Sequence, residues 1–146
     1  MTKSVTPPIT GTYLVGRLGE CRLRRGYYLY TGSAFGPGGI PARVLRHLRT
    51  GKTRRWHIDY LARQTTAAGA WYCTSAARLE HAWAAALTRS GFATPFPGFG
   101  SSDCRCPAHL FFSPTPPARE TLTEAFEAAS GVPAELQPFP GVVPAA

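Results

Sequence analysis

The run Phe35-Gly36-Pro37-Gly38-Gly39 can sustain neither helix nor strand, because glycine loses the most backbone entropy on ordering and proline lacks an amide donor. The chain must break there. Before the break, Cys21 to Tyr30 is rich in Tyr, Leu and Arg and reads as extended chain. After it, Pro41 suits a first helical turn, and Val44, Leu45 and Leu48 make an apolar stripe opposite Arg43, Arg46 and Arg49. The pattern predicts a helix over residues 40–50, closed by Gly51.

The remaining elements follow from similar signals. Thr12 to Leu18 and Cys21 to Tyr30, punctuated by Gly19-Glu20 and Gly26, predict two or three short antiparallel strands. Trp56 to Leu61 opens a short helix in which Asp59 sits near the positive end of the helix dipole. Ala70 to Thr74 fits a strand, and Ser75 is a plausible N-cap for a helix over 76–90 that stacks Leu79, Trp83 and Leu87 and ends at Gly91. Pro95, Pro97, Gly98 and Gly100 enforce a loop, and His109 to Phe112 can form a last strand.

Residues 1–10, with Pro7-Pro8 and no periodicity, read as a flexible leader. Residues 113–146 hold half of the 14 prolines and form an acidic extension. Its one expected helix, Pro116 to Ser130, carries Leu122, Phe126 and Ala129 on one face. The class is α+β, with a single domain over 11–112 and no internal repeat.

Charge is uneven. Of 16 basic side chains 15 precede residue 113, against four of the eight acidic ones. Arg43, Arg46, Arg49, Lys52, Arg54 and Arg55 crowd one short stretch, which favours a polyanionic partner; the competing reading is a merely solubilising surface. No run approaches the roughly 18 to 20 apolar residues of a membrane span, and the N-terminus lacks a signal pattern, so a cytoplasmic protein with no membrane partner is expected. In that compartment Cys21, Cys73, Cys104 and Cys106 are thiols or metal ligands rather than disulfides.

Three constellations bear chemistry. Arg43 and His47, four apart on the predicted helix, project toward one point, although a solvated helix face would show the same spacing. Tyr13 and Tyr30 stand on predicted strands, where aromatic packing is the ordinary fate of tyrosine. Glu80 is one of few acidic residues in the body, with Leu79 and Trp83 marking the buried side of its helix as close. One carboxylate can hold Mg²⁺ when water and phosphate complete the octahedron.

Cys104-x-Cys106-x2-His109 offers zinc-type ligands, but its spacing is not the usual Cys-x2-Cys. A fourth ligand would have to come from a distant part of the sequence, Cys73 or His57 being examples, so structural zinc is not expected and the cysteines read as small buried residues beside the site. The glycine-rich loop lacks the Lys-Ser/Thr ending of a P-loop, which argues against nucleotide hydrolysis.

Taken in order, Gly11-Thr12-Tyr13, Tyr30-Thr31-Gly32, Arg43 and Glu80 resemble the signature of the GIY-YIG nucleases, and His47 falls where several relatives carry His or Tyr. The phrases Tyr28-Leu29-Tyr30-Thr31-Gly32-Ser33-Ala34, Trp56-His57-Ile58-Asp59-Tyr60-Leu61 and Phe99-Gly100-Ser101-Ser102-Asp103-Cys104-Arg105-Cys106 are similar to a branch known as DUF123.

The resemblance implies a small three-stranded antiparallel sheet flanked by helices, with the two tyrosines on neighbouring strands. It implies a metal-dependent DNA endonuclease acting in repair, recombination or defence. Tyr13 would then deprotonate the attacking water and His47 receive its proton, Tyr30 and Arg43 would contact phosphate, and Glu80 would hold Mg²⁺ or Mn²⁺. Arg46, Arg49, Lys52, Arg54 and Arg55 would bind the nucleic-acid backbone.

Two departures support a rival reading, a nucleic-acid-binding module that keeps the scaffold and cuts nothing. The chain contains no Asn, which many of these nucleases carry near the active site. The first half-signature also runs directly into Val15-Gly16-Arg17-Leu18-Gly19, shortening the first hairpin.

Overall fold

The structure, a computed structural model, describes residues 2–6, 11–33, 37–48, 57–62, 65–75, 77–101 and 104–138. In chain order the elements are β1 (Thr2–Thr6), β2 (Gly11–Val15), β3 (Gly19–Leu23), β4 (Tyr27–Thr31), α1 (Gly39–Leu48), α2 (His57–Ala62), β5 (Thr66–Tyr72), α3 (Glu80–Arg89), β6 (Leu110–Ser113), α4 (Arg119–Ser130) and β7 (Glu135–Pro138).

Five strands form one antiparallel sheet in the order β6-β4-β1-β5-β7, and β2 and β3 form a separate two-stranded ribbon. The expectation of a three-stranded sheet is therefore corrected. Its two extra strands come from the ends of the described chain: Thr2–Thr6 is almost wholly polar and Glu135–Pro138 is only four residues long, and both become strands by pairing with distant partners.

Within the expected leader, Thr2–Thr6 is the central strand; residues 1 and 7–10 lie outside the described residues. β1 pairs with β4 on one side (Lys3 opposite Tyr30) and with β5 on the other (Lys3 opposite Ala70). Pro138 is tolerated in β7 because an edge strand need not donate from every amide.

Alternation along the strands builds two cores, since successive side chains point to opposite faces. Tyr28, Tyr30, Leu110 and Phe112 face a cluster completed by Val15, Cys21 and Leu23 of the ribbon side, Ile58 and Leu61 of α2, and Phe99. Leu29, Trp71 and Phe111 face the helical side, meeting Trp83 and Leu87 of α3 and Leu122 and Phe126 of α4. Tyr28 is fully buried, and its hydroxyl accepts from the Arg24 amide at 2.8 Å and donates to the Arg24 carbonyl at 3.1 Å, closing the turn before β4.

The proline-rich extension is largely integrated. Trp83 stacks on Phe126 with ring centroids 4.3 Å apart and planes at 17°, and the Trp71 indole donates to Thr123 Oγ1 at 3.1 Å. α3 begins at Glu80 rather than at residue 76, because the Ser75 hydroxyl accepts from the Ala77 amide at 3.1 Å and serves a local turn instead of the helix start.

Candidate functional site

The site forms where β4 runs out. A Cβ on Gly32 would stand 3.1 Å from Arg43 Nη2 and 3.3 Å from Tyr30 Cε1, and one on Gly100 would stand 3.2 Å from Tyr30 Cε2. The Tyr30 ring is slotted between two glycines, which explains why side chains are missing at both positions. Arg43, on the second turn of α1, donates a hydrogen bond to the Tyr30 phenol.

Tyr30 is only 6% exposed. Burial pushes its pKa up, the Arg43 charge and hydrogen bond pull it down, and the nearby Asp59 and Glu80 carboxylates raise it further. The phenol is neutral at physiological pH, so it acts by hydrogen bonding and not as a base. Tyr30, Arg43 and Glu80 share one electrostatic neighbourhood.

A cleft of about 370 Å³ opens beside them, lined by Gly32 and Ser33, by Gly39, Ile40 and Pro41 at the start of α1, and by Cys73, Thr74, Leu79, Glu80 and Trp83. The N-terminal end of α1 brings backbone amide donors and a positive dipole end to one wall, suited to an anion. Glu80 stands on the opposite side at the first residue of α3, with its side chain 13% exposed. Its Oε1 lies 3.7 Å from His81 Nε2, while Oε2 is buried with no hydrogen-bond partner among the described residues. A buried carboxylate oxygen left this way is costly unless a cation or water serves it, so the residue suits a divalent ion with one protein ligand.

Other expected site residues are placed differently. Tyr13 lies on the ribbon opposite Cys21, half-buried against the cluster that contains Tyr30, and not on a strand neighbouring Tyr30. The expectation of adjacent tyrosine strands fails because β1, not β2, occupies the place beside β4. Arg46 turns inward, its Nη2 donating to Asp59 Oδ2 at 2.7 Å, and Asp59 has no exposed side-chain surface. The Arg46 guanidinium is thus held in an ion pair, with 30% of the side chain still exposed. His47 follows Arg43 by four residues on α1, but its side chain lies outside the described residues, as do Arg49, Lys52, Arg54 and Arg55.

Arg22 on β3, Arg17 in the turn at one end of the ribbon and Arg24 and Arg25 beyond its other end are all exposed, basic side chains that sequence reasoning did not single out. The signal was there: Arg22 alternates with inward Cys21 and Leu23. His57 has a structural role, with Nδ1 accepting from the Gly100 amide at 2.9 Å and its ring edge-on to Phe99. Burial holds its pKa below the usual imidazole value, so the neutral ring fixes the loop that flanks Tyr30.

Next to Glu80 lies a second group of side chains. The donor atoms of His81, Cys104, Cys106 and His109 all lie within 4.8 Å of one another. His81 Nδ1 is 3.0 Å from Cys106 Sγ, and His109 Nε2 is 3.2 Å from Cys104 Sγ. The fourth member is neither of the expected candidates: Cys73 lines the cleft and His57 serves Gly100. His81 was missed because it comes from a different element, separated in sequence from the cysteines and placed beside them only by the fold.

The described residues thus make a mixed α/β domain with small antiparallel sheets and a cleft flanked by a Cys/His cluster. Residues 8–131 match the family described as domain of unknown function DUF123, and the chain belongs to that family. No curated protein and no solved structure matches it. Among the described residues no helix is long and apolar enough to cross a membrane.

Proposed function

We propose that the protein is an endonuclease that hydrolyses DNA phosphodiester bonds in the cleft between α1 and α3, using Glu80 to hold Mg²⁺ or Mn²⁺. The observation that carries this reading is that Tyr30 and Arg43 meet at Gly32 while Glu80, whose charge reaches Tyr30, lines the same cleft as Gly32, three groups from three separate elements. It rests also on the likeness of Tyr30-Thr31-Gly32, Arg43 and Glu80 to the GIY-YIG signature.

Arg43 binds a non-bridging phosphate oxygen and neutralises charge that grows as the bond breaks. Tyr30, kept protonated by burial and tethered by Arg43, orients that oxygen by hydrogen bonding. Glu80 would hold the divalent ion, which when bound would supply Lewis-acid stabilisation at the phosphate. His47 accepts the proton that leaves the attacking water, and Tyr13 contributes from the ribbon side. The exposed arginines of the ribbon hold the flanking backbone.

A second reading keeps the DNA partner and removes the reaction. Tyr13 on a separate ribbon favours it, because the resemblance requires both phenols at one ester. A panel of linear, branched and single-stranded DNAs, incubated with Mg²⁺ or Mn²⁺, separates the two. The nuclease reading expects divalent-dependent nicking that Glu80→Gln and Arg43→Ala abolish while DNA affinity persists. Undiminished cleavage by the Glu80 variant refutes the assignment. Absence of cleavage on every substrate, with salt-sensitive binding, supports the binding module.

A further inference from the structure

The four donors beside Glu80 form a geometry that the proposed reaction does not use. We propose that Cys104 Sγ, Cys106 Sγ, His109 Nε2 and His81 Nδ1 bind one structural Zn²⁺, which pins the 104–109 segment to the start of α3. Two thiolates and two imidazoles are the ligand set that a borderline-soft, tetrahedral ion prefers.

The distances fit. With Zn–S near 2.3 Å and Zn–N near 2.0–2.1 Å, tetrahedral N···S edges are about 3.5 Å and S···S edges about 3.8 Å. The two short pairs, 3.0 and 3.2 Å, need to open only slightly, and all four donors already lie within 4.8 Å. Four protein ligands leave no open position, which marks the ion as structural and distinct from a divalent ion on Glu80.

The surroundings of the ligands have the same character. His109 is buried, and Thr31 Oγ1 lies 2.8 Å from its Nδ1, which orients the ring and leaves Nε2 for the metal. Its backbone is fixed at both polar groups, the amide donating to Phe99 O at 2.7 Å and the carbonyl accepting from Thr31 N at 3.0 Å. His81 Nε2 faces Glu80 Oε1 at 3.7 Å, a carboxylate behind the imidazole.

The tight Cys-x-Cys spacing works because the loop folds back on itself. The Cys104 amide donates to Ser101 O at 3.3 Å and the Gly98 amide to Pro107 O at 2.7 Å, bringing both thiols to one side. Both thiols are free, so no disulfide competes for them.

The test is zinc analysis of the full chain purified under reducing conditions without a metal-affinity tag, joined to Co²⁺ titration of the chelator-treated protein. One zinc per chain is expected. Co²⁺ should give the visible absorption of a tetrahedral site together with thiolate charge-transfer bands. Cys104→Ser, Cys106→Ser and His81→Gln should each lose the bound metal, whereas Cys73→Ser should retain it. Thr31→Val should weaken zinc binding by about 10-fold.

If the cysteine variants do not fold, the Co²⁺ spectrum of the wild-type chain decides. Lack of stoichiometric zinc together with absence of a tetrahedral thiolate spectrum overturns the proposal, as does a Cys106→Ser chain that keeps its zinc. None of these readouts depends on DNA cleavage, so the zinc site and the nuclease reading fail separately.

Discussion

Arg46 of α1 donates to Asp59 of α2 at 2.7 Å, tying two short helices through a carboxylate with no exposed surface. The pair is asymmetric, because the Arg46 side chain keeps 30% of its exposure. Arg46→Met would take this charged hydrogen bond away from a buried carboxylate and should cost about 1–3 kcal/mol. Asp59→Leu should cost less, since the long arginine can turn its head to water. Urea titration of both variants checks the ordering.

Gly32 leaves room for Arg43 and Tyr30 to meet. In Gly32→Ala the new methyl presses on Arg43 Nη2 and the Tyr30 ring at 3.1 and 3.3 Å, and neither can retreat without loosening their hydrogen bond. Overpacking should cost about 1–3 kcal/mol. Cleavage should fall on the order of 100-fold, as misplacement of positioned groups near the chemistry does. A melting curve and a cleavage assay on one preparation give both numbers.

Phe126→Ala removes a fully buried ring stacked on Trp83 and should destabilise the protein by about 3–5 kcal/mol. Denaturant unfolding should stay a single transition, because α4 and α3 share one core. An extension that melts separately would contradict this.

His57 gives a pH signature. Its native pKa is held below the unfolded value by burial, so the native state resists a proton that the unfolded chain accepts. Its contribution is fully present above about pH 6.5 and is lost as pH falls through the native pKa. In His57→Asn, whose side-chain oxygen can still accept from Gly100, the urea midpoint should fall less between pH 7.5 and 5.5 than in the wild-type chain.

Local chemistry made the helices legible. The stripe of Val44, Leu45 and Leu48 gave α1, the Leu79, Trp83 and Leu87 spacing gave α3, and Leu122 with Phe126 gave α4, each within a few residues. Tyr30, Arg43 and Glu80 became candidates through their likeness to a known signature, each in a short local phrase. What escaped depends on pairing across long stretches of chain. Thr2–Thr6 carries no periodic pattern and becomes a strand only between β4 and β5. Arg46 resembled its exposed neighbours until Asp59 arrived from another helix. His81 looked like a solvated helix residue, and only the return of the 104–109 loop gives it company.

The central position of β1 has a consequence for the life of the chain. β4 and β5 are not paired with each other; among the described residues the ladders β6-β4 and β5-β7 are hydrogen-bonded into one sheet through the five residues of β1. Whenever that seam opens, two raw edges appear at once, each with a row of unpaired amides and carbonyls. A neighbouring copy can fill the gap with its own first strand, so exchange of this segment between molecules is the characteristic way for this architecture to go wrong.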